Sequence, residues 1–172
     1  HDHSHGDHGH HSHDHEHRGL AEILEILCRA QITDGAREKA VRIFEILAEA
    51  EAKAHGTSIE KVHFHEVGAV DSIVDITAAA VCLDNLQIDK VIIPVLCEGS
   101  GSVRCQHGVI PVPVPAVTAV TCKYSIPLHM TDVQGELVTP TGAAIAAAIR
   151  TSARLPERFV IEKTGIGAGK RE

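Results

Sequence analysis

The most apolar stretch of the chain, GVIPVPVPAVTAVTC, carries prolines at 111, 113 and 115, and that punctuation narrows what the chain can become. Proline lacks an amide N–H and clashes with the preceding helical turn, so the stretch cannot be a membrane-crossing helix. No other run approaches the roughly 18–20 apolar residues that a bilayer requires. Pro115 instead suits a helix N1 position and opens PAVTAVTCK as a helix. TPTGAAIAAAI repeats the device: Thr139 caps, Pro140 stands at N1, and an alanine-rich helix runs to Arg150.

Upstream, LAEILEILCRA puts Leu20, Ile23, Leu24 and Leu27 on one helical stripe. After the turn ITDG, with Thr33 or Asp34 as N-cap, a second helix carries Ala36, Ala40, Ile43, Phe44, Leu47 and Ala48 inward and stops at Gly56. The two read as a helical hairpin whose face of Glu38, Lys39, Arg42, Glu45 and Glu49 is solvated. TSIE, Thr57 to Glu60, fits a capping box or tight turn. KVHFHEV alternates with period two and predicts a strand ending at Gly68. AVDSIVDITAAAVCLDNL predicts a helix with Val70, Ile73, Val74, Thr77 and Val81 inward. KVIIPVLCEG predicts a short buried strand, GSGSVRCQHG a loop or hairpin tip, SIPLHM another strand, and RFVIEK a last strand running into glycines. Alternating helices and short strands make the chain α/β or α+β, with strand order undetermined. Three regions are expected: a flexible metal-binding tail over 1–18, the hairpin over 19–56, and an α/β core over 57–172 compatible with one domain that includes the hairpin.

The chain has 172 residues, 44% hydrophobic and 23% charged, enough for a real core. Its net charge of −7 and four aromatic side chains offer no basic face for phosphate backbone and little to stack on bases, so nucleic acid is not the expected partner. The polar amino end does not read as a signal peptide. Cys28, Cys82, Cys97, Cys105 and Cys122 form no C-x-x-C pair, which predicts reduced, mostly buried thiols in a cytoplasmic protein. Cys97 and Cys105 are the nearest pair.

Nine of the fourteen histidines fall in the first seventeen residues, at His1, His3, His5, His8, His10, His11, His13, His15 and His17. Nothing in HDHSHGDHGHHSHDHEH can bury surface, so no fixed structure is expected without a metal. Neutral imidazoles on such a segment bind nickel, zinc or copper in many exchangeable geometries. A purification tag is usually an unbroken run, whereas Asp, Ser and Gly interrupt this one throughout, which favours a metal-gathering tail.

VHFHEVGAVDSIVDI concentrates a different set. On a strand His63 and His65 share a face, half of a workable metal site, while Glu66 points away. Asp71 and Asp75 are i and i+4 on the following helix, near its N-terminal turn. Spacing alone leaves open whether these are scattered polar positions or a converging site that needs a bend at Gly68. His107 is a further candidate in its turn. Gly99, Ser100 and Gly101 after a strand, and Thr139, Thr141 and Gly142 at a helix start, could each present N–H groups to an anion, though a turn and a cap explain them as well. TGIGAGKRE fails as a P-loop, because Thr164 stands at the first glycine and Arg171 at the Ser/Thr position.

VHFHEVGAVDSIVDI, the GSG loop with HG-x-IPVP-x-PA, GELVTPTGAAI and the closing GIGAG together resemble the LarC-type nickel-insertion proteins of lactate racemase maturation, over essentially the whole chain. The resemblance implies a cyclometallase, in the lyase class. Nickel enters pyridinium-3,5-bisthiocarboxylic acid mononucleotide at the expense of CTP, giving the nickel-pincer cofactor. Nickel must reach sulfur donors and one ring carbon, which loses a proton. Imidazoles suit reversible delivery, a carboxylate or histidine could take the proton, and the phosphate would suit GSGS or TPTG. His63, His65, Glu66, Asp71 and Asp75 are the expected catalytic set, with His63 and His65 also holding metal. Family members usually carry an additional Asp- and Gly-containing segment before this region and a carboxy-terminal CTP domain after it. An internal fragment lacking an initiator Met is therefore expected, with CTP and Mg²⁺ or Mn²⁺ needed only alongside the missing domain. Its own missing segments and lactate racemase are implied partners, and an oligomer is compatible. Two other readings stand beside this one: a non-catalytic nickel or zinc storage or metallochaperone module, and a structural or oligomerising domain.

Overall fold

Ile23 and Leu27, one helical turn apart, bury almost completely and define the inward stripe of α1, Leu20–Arg29. At its start the Gly19 N–H donates to the Glu22 carboxylate at 3.0 Å. Helix α2, Asp34–His55, begins at Thr33, whose Oγ1 accepts from the Ala36 N–H at 3.2 Å and donates to Asp84 Oδ2 at 2.6 Å. One hydroxyl thus caps α2 and ties it to a distant segment. The carbonyls at the end of α1 have no helical donors of their own. Arg37 supplies them, donating to the carbonyls of Leu27, Ala30 (3.1 Å) and Ile32 (3.3 Å). Gly56 then closes α2 at φ +62°, and the Thr57 N–H returns to the Ala52 carbonyl at 2.9 Å. The computed structural model describes residues 19–62, 70–105 and 108–167.

The mixed α/β architecture is organised around α2. Ala36, Ala40, Ile43, Phe44, Ile46, Leu47, Ala48, Ala50 and Ala52 are all buried on it, roughly two thirds of the circumference at about 100° per residue. Against it pack α1, α3 (Val70–Asn85), α4 (Pro115–Lys123) and α5 (Pro140–Ile149). Alanines make up the buried face of α5 and alternate with valines on α4, with Ala116, Val117, Ala119, Val120, Ala143, Ala144 and Ala147 in the same cluster. Small side chains let helix axes approach closely, which fits a core with so few aromatics. The solvated outer face of α2 is as expected, with Glu38, Arg42 and Glu45 exposed. Lys39 donates to Asp84 at 2.8 Å, and Glu49 pairs with Lys123.

Among the described residues two small sheets complete the fold. β1 (Leu96–Ser100) pairs in parallel with β4 (Leu128–Gln134). Between them the chain makes an antiparallel hairpin of β2 (Ser102–Cys105) and β3 (Gly108–Pro111), then α4 as crossover. The described part of GSGSVRCQHG, residues 99–105 and 108, is therefore the end of β1, one arm of a hairpin and the first residue of the other arm. After α5 the chain returns alongside the run before β1, through a parallel bridge between Ile92 and Ser152.

Several expectations change. The strand foreseen over KVIIPVLCEG starts only at Leu96. Pro94 cannot donate to a ladder, and only the single bridge at Ile92 precedes it. The inward face of α3 is Ile73, Ile76 and Ala80, while Val70, Val74 and Val81 are 60%, 57% and 39% exposed. The stripe covered by α2 is narrow, and Val74 sits a full 100° step from Ile73. RFVIEK makes no strand: no partner strand lies beside it among the described residues, and Phe159, Val160 and Ile161 are exposed. TSIE leads into a 3₁₀ turn, Ile59–Lys61, the tight-turn alternative rather than the capping box; Lys61 belongs to that turn and not to a strand, while Val62 is extended. The remainder of the strand expected over KVHFHEV lies outside the described residues. All five cysteines are free, but Cys28, Cys82, Cys97 and Cys122 are exposed and only Cys105 is half-buried. The helices that carry Cys28, Cys82 and Cys122 turn other faces to α2.

Two predictions test the α2 framework. Phe44→Ala removes the largest fully buried side chain among the described residues and is expected to cost about 3–5 kcal/mol, measured by urea unfolding. Hydrogen bonds from Lys39 and then Thr33 hold the Asp84 carboxyl below its ordinary value. Its contribution is therefore present above the ordinary aspartate range and lost as pH falls through the lowered value. Asp84→Asn should be less stable than wild type at neutral pH, and the gap should close as unfolding is repeated at progressively lower pH.

Candidate functional site

In a parallel β-α-β arrangement ligands sit beyond the carboxyl ends of the strands, where backbone groups and helix N-termini converge. Here that edge is formed by the end of β1, Gly99 to Gly101, and by the segment leading from β4 into α5, Gly135 to Gly142. The backbone of the two runs is in direct contact. The Gly135 N–H donates to the Ser100 carbonyl at 2.9 Å, and the Gln134 amide donates to Ser100 Oγ at 3.1 Å. Gly99 is obligatory, since a Cβ there would lie 1.8 Å from the Gly135 carbonyl oxygen. Gly101, at φ +86°, turns the chain out of β1 into the hairpin.

Glu98 holds this junction together. It is fully buried, and its Oε1 accepts three backbone N–H bonds: from Gly99 at 2.7 Å, Leu137 at 2.8 Å and Val138 at 3.1 Å. Bonds from amides to a carboxylate are charge-assisted and short, as these are. The next residue, Thr139, caps α5 by accepting from the Gly142 N–H at 3.1 Å. Gly101, Thr139 and Gly142 are exposed at the edge, and Thr141 is half-buried. The α5 N-terminus adds roughly half a positive charge there. The arrangement can receive a small anionic or polar group against a backbone held from behind.

The predicted residues fall into three groups. Gly99, Ser100 and Gly101 are brought together with the Thr139, Thr141 and Gly142 segment through Glu98, which the sequence reading did not single out. A glutamate inside an otherwise apolar strand, immediately before glycines, was the available signal. Asp71 and Asp75 lie on the first turns of α3, both exposed. Among the described residues no cluster of three or more His, Cys, Asp or Glu side chains is arranged to hold a metal. His63, His65, Glu66, Gly68, His107 and the tail histidines, with the bend expected at Gly68, lie outside the described residues. Cys97 is the register partner of His129 across β1 and β4, both exposed, which supplies only two of the ligands a closed site needs. A separate groove of about 240 Å³ between α2 and α4 is lined by Ile46, Ala50, Ala119 and Val120 beside the Glu49–Lys123 pair. It contains none of the predicted residues.

The family model described as nickel insertion protein matches residues 4–172. A pyridinium-3,5-bisthiocarboxylic acid mononucleotide nickel insertion protein of Alkaliphilus metalliredigens is 56% identical over 172 residues, covering all of this chain and 41% of the relative. Proteins of the same name from Acetivibrio thermocellus and Clostridium acetobutylicum are each 46% identical, over 90% and 89% of this chain and 38% and 36% of their own lengths. The chain thus spans about two fifths of the curated relatives it matches. No solved structure matches it, and among the described residues no helix is long and apolar enough to cross a membrane. A match of this extent, at this identity, means that the chain belongs to the nickel insertion protein family.

Proposed function

We propose that the chain is the nickel-handling and substrate-holding part of a longer enzyme that inserts nickel into pyridinium-3,5-bisthiocarboxylic acid mononucleotide. The observation that carries this is the whole-chain match to proteins named for that insertion. The finer reading is that the product is the nickel-pincer cofactor of lactate racemase. Insertion then depends on CTP with Mg²⁺ or Mn²⁺ in the full-length protein, and the enzyme is a lyase. The five free thiols support a reducing, cytoplasmic setting.

In this reading the nine tail histidines gather Ni²⁺ and exchange it readily, because no closed thiolate site traps it. His63 and His65 receive the metal. As a nickel–carbon bond forms on the ring, the C–H bond breaks and its proton passes to a neighbouring base, for which Glu66, Asp71, Asp75 or a histidine has the right chemistry. The phosphate rests at the Gly99–Gly101 and Thr139–Gly142 edge, with His107 as a further contact. That edge lies at the carboxyl end of the parallel pair and at a helix N-terminus, both of which favour an anion.

A second reading, nickel or zinc storage without chemistry, is favoured by the histidine tract alone. Full-length protein with His63→Ala and His65→Ala should lose nickel insertion by at least about a hundredfold, the scale expected when metal or proton-transfer groups are removed. Insertion should survive deletion of residues 1–17 when nickel is plentiful. Unchanged insertion in the double variant sinks the assigned roles. If the tail deletion removes all tight nickel binding and the remainder binds none, the storage reading is correct.

A further inference from the structure

Glu98 is the only charged side chain in the buried core among the described residues, and the insertion chemistry above makes no use of it. Burying a carboxylate is unfavourable, and an apolar residue of similar volume would usually join two segments at least as well. This one is nevertheless placed at the last inward position of β1, directly before the glycines. Its Oε1 collects amides from two segments about forty residues apart, Gly99 on one side and Leu137 and Val138 on the other. Its Oε2 is buried and has no hydrogen-bond partner among the described residues. The contact it closes has no slack, because the space between Gly99 and the Gly135 carbonyl will not admit one methyl group.

Gly101 and Thr139 both follow within three residues of an atom that Glu98 holds. The length of the Glu98 side chain therefore sets how far the outward face of the GSG run stands from the first turn of α5. We propose that Glu98 is the positioning residue of the ligand-binding edge, fixing the GSG run against the α5 N-terminus so that both meet the phosphate of the mononucleotide. The proposal rests on the functional reading above for the ligand's identity. It assigns Glu98 no contact with the ligand, and makes reach rather than charge the property that matters. Aspartate keeps the charge but falls one methylene short of the three amides. Glutamine keeps the reach and an acceptor oxygen but not the charge.

Calorimetric binding of the metal-free mononucleotide to the folded full-length protein separates these properties, with amide exchange at Leu137 and Val138 followed in parallel. Glu98→Ala and Glu98→Asp should weaken binding by about tenfold or more, the equivalent of a lost charge-assisted hydrogen bond, and speed exchange at both amides. Glu98→Gln should restore binding to within about threefold, with slow exchange retained. Defective folding lowers the number of binding sites rather than the affinity of those that remain, so the affinity ordering is not what a merely structural role produces. Aspartate binding as tightly as wild type overturns the proposal, and so does glutamine binding tenfold more weakly. The glutamine result decides by itself if the other variants fail to fold. A wild-type protein that binds the mononucleotide but cannot insert supplied nickel refutes the functional reading and leaves Glu98 its role. Normal insertion with unaltered binding in Glu98→Asp refutes the role alone. Absence of mononucleotide binding by wild type overturns both.

Discussion

Burial of α2 around most of its circumference is the constraint on which the rest of the structure depends. A helix covered on so many sides needs neighbours that approach closely. Buried alanines at 36, 40, 48, 50 and 52 on α2, with those of α4 and α5, meet that need with little side-chain volume. The arrangement leaves few large side chains to fill space, so Phe44 and the isoleucines at 43 and 46 carry much of the packing. Because α4 and α5 are the helices flanking β4, their seat on α2 also sets where β4 ends and where α5 starts. The ligand edge therefore inherits its position from a helix that contributes no residue to it.

Polar groups complete what packing leaves undone at the helix ends. Arg37 serves the terminal carbonyls of α1, and Arg150 does the same at α4, donating to Tyr124 and Ser125. In both cases a guanidinium on or just past one helix satisfies carbonyls at the end of another, so the bonds fix the relation between elements as well as the elements themselves. Thr33 and Lys39 converge on Asp84 in the same way, joining the start of α2 to the end of α3.

Local signals with a stereochemical cause were readable in the sequence. Thr33 and Thr139 as caps, Pro115 and Pro140 at N1, and Gly56 as a left-handed stop all specify backbone conformations that few other residues allow. What depended on neighbours was not readable. Hydropathy placed Val70, Val74 and Val81 inward on α3 together with Ile73, but burial is decided by where α2 lies, and it covers Ile73 with Ile76 and Ala80 rather than the three valines. RFVIEK has the composition of a strand, yet a strand exists only when a partner presents its backbone. At the site, glycine spacing identified the GSG and TPTG runs separately. Their convergence required the parallel register of β1 and β4, and the role of Glu98 was hidden because two of its three partners are backbone amides about forty residues away, which leave no side-chain signature of their own.

The placement of Glu98 also bears on the electrostatics of the edge. A carboxylate behind an anion-binding surface would weaken it if its charge were left uncompensated. Three amide dipoles point at Oε1, and these are the donors that shorten and strengthen carboxylate hydrogen bonds. The amides of Leu137 and Val138 are thereby withdrawn from the ligand, and Gly142 is taken by Thr139. In the proposed reading, what remains for an incoming phosphate is the field of α5 itself, a ten-residue helix. In the proposed reading the edge would recognise an anion through a helix terminus joined to a glycine turn by Glu98. A residue type that would ordinarily oppose anion binding instead secures the geometry that permits it.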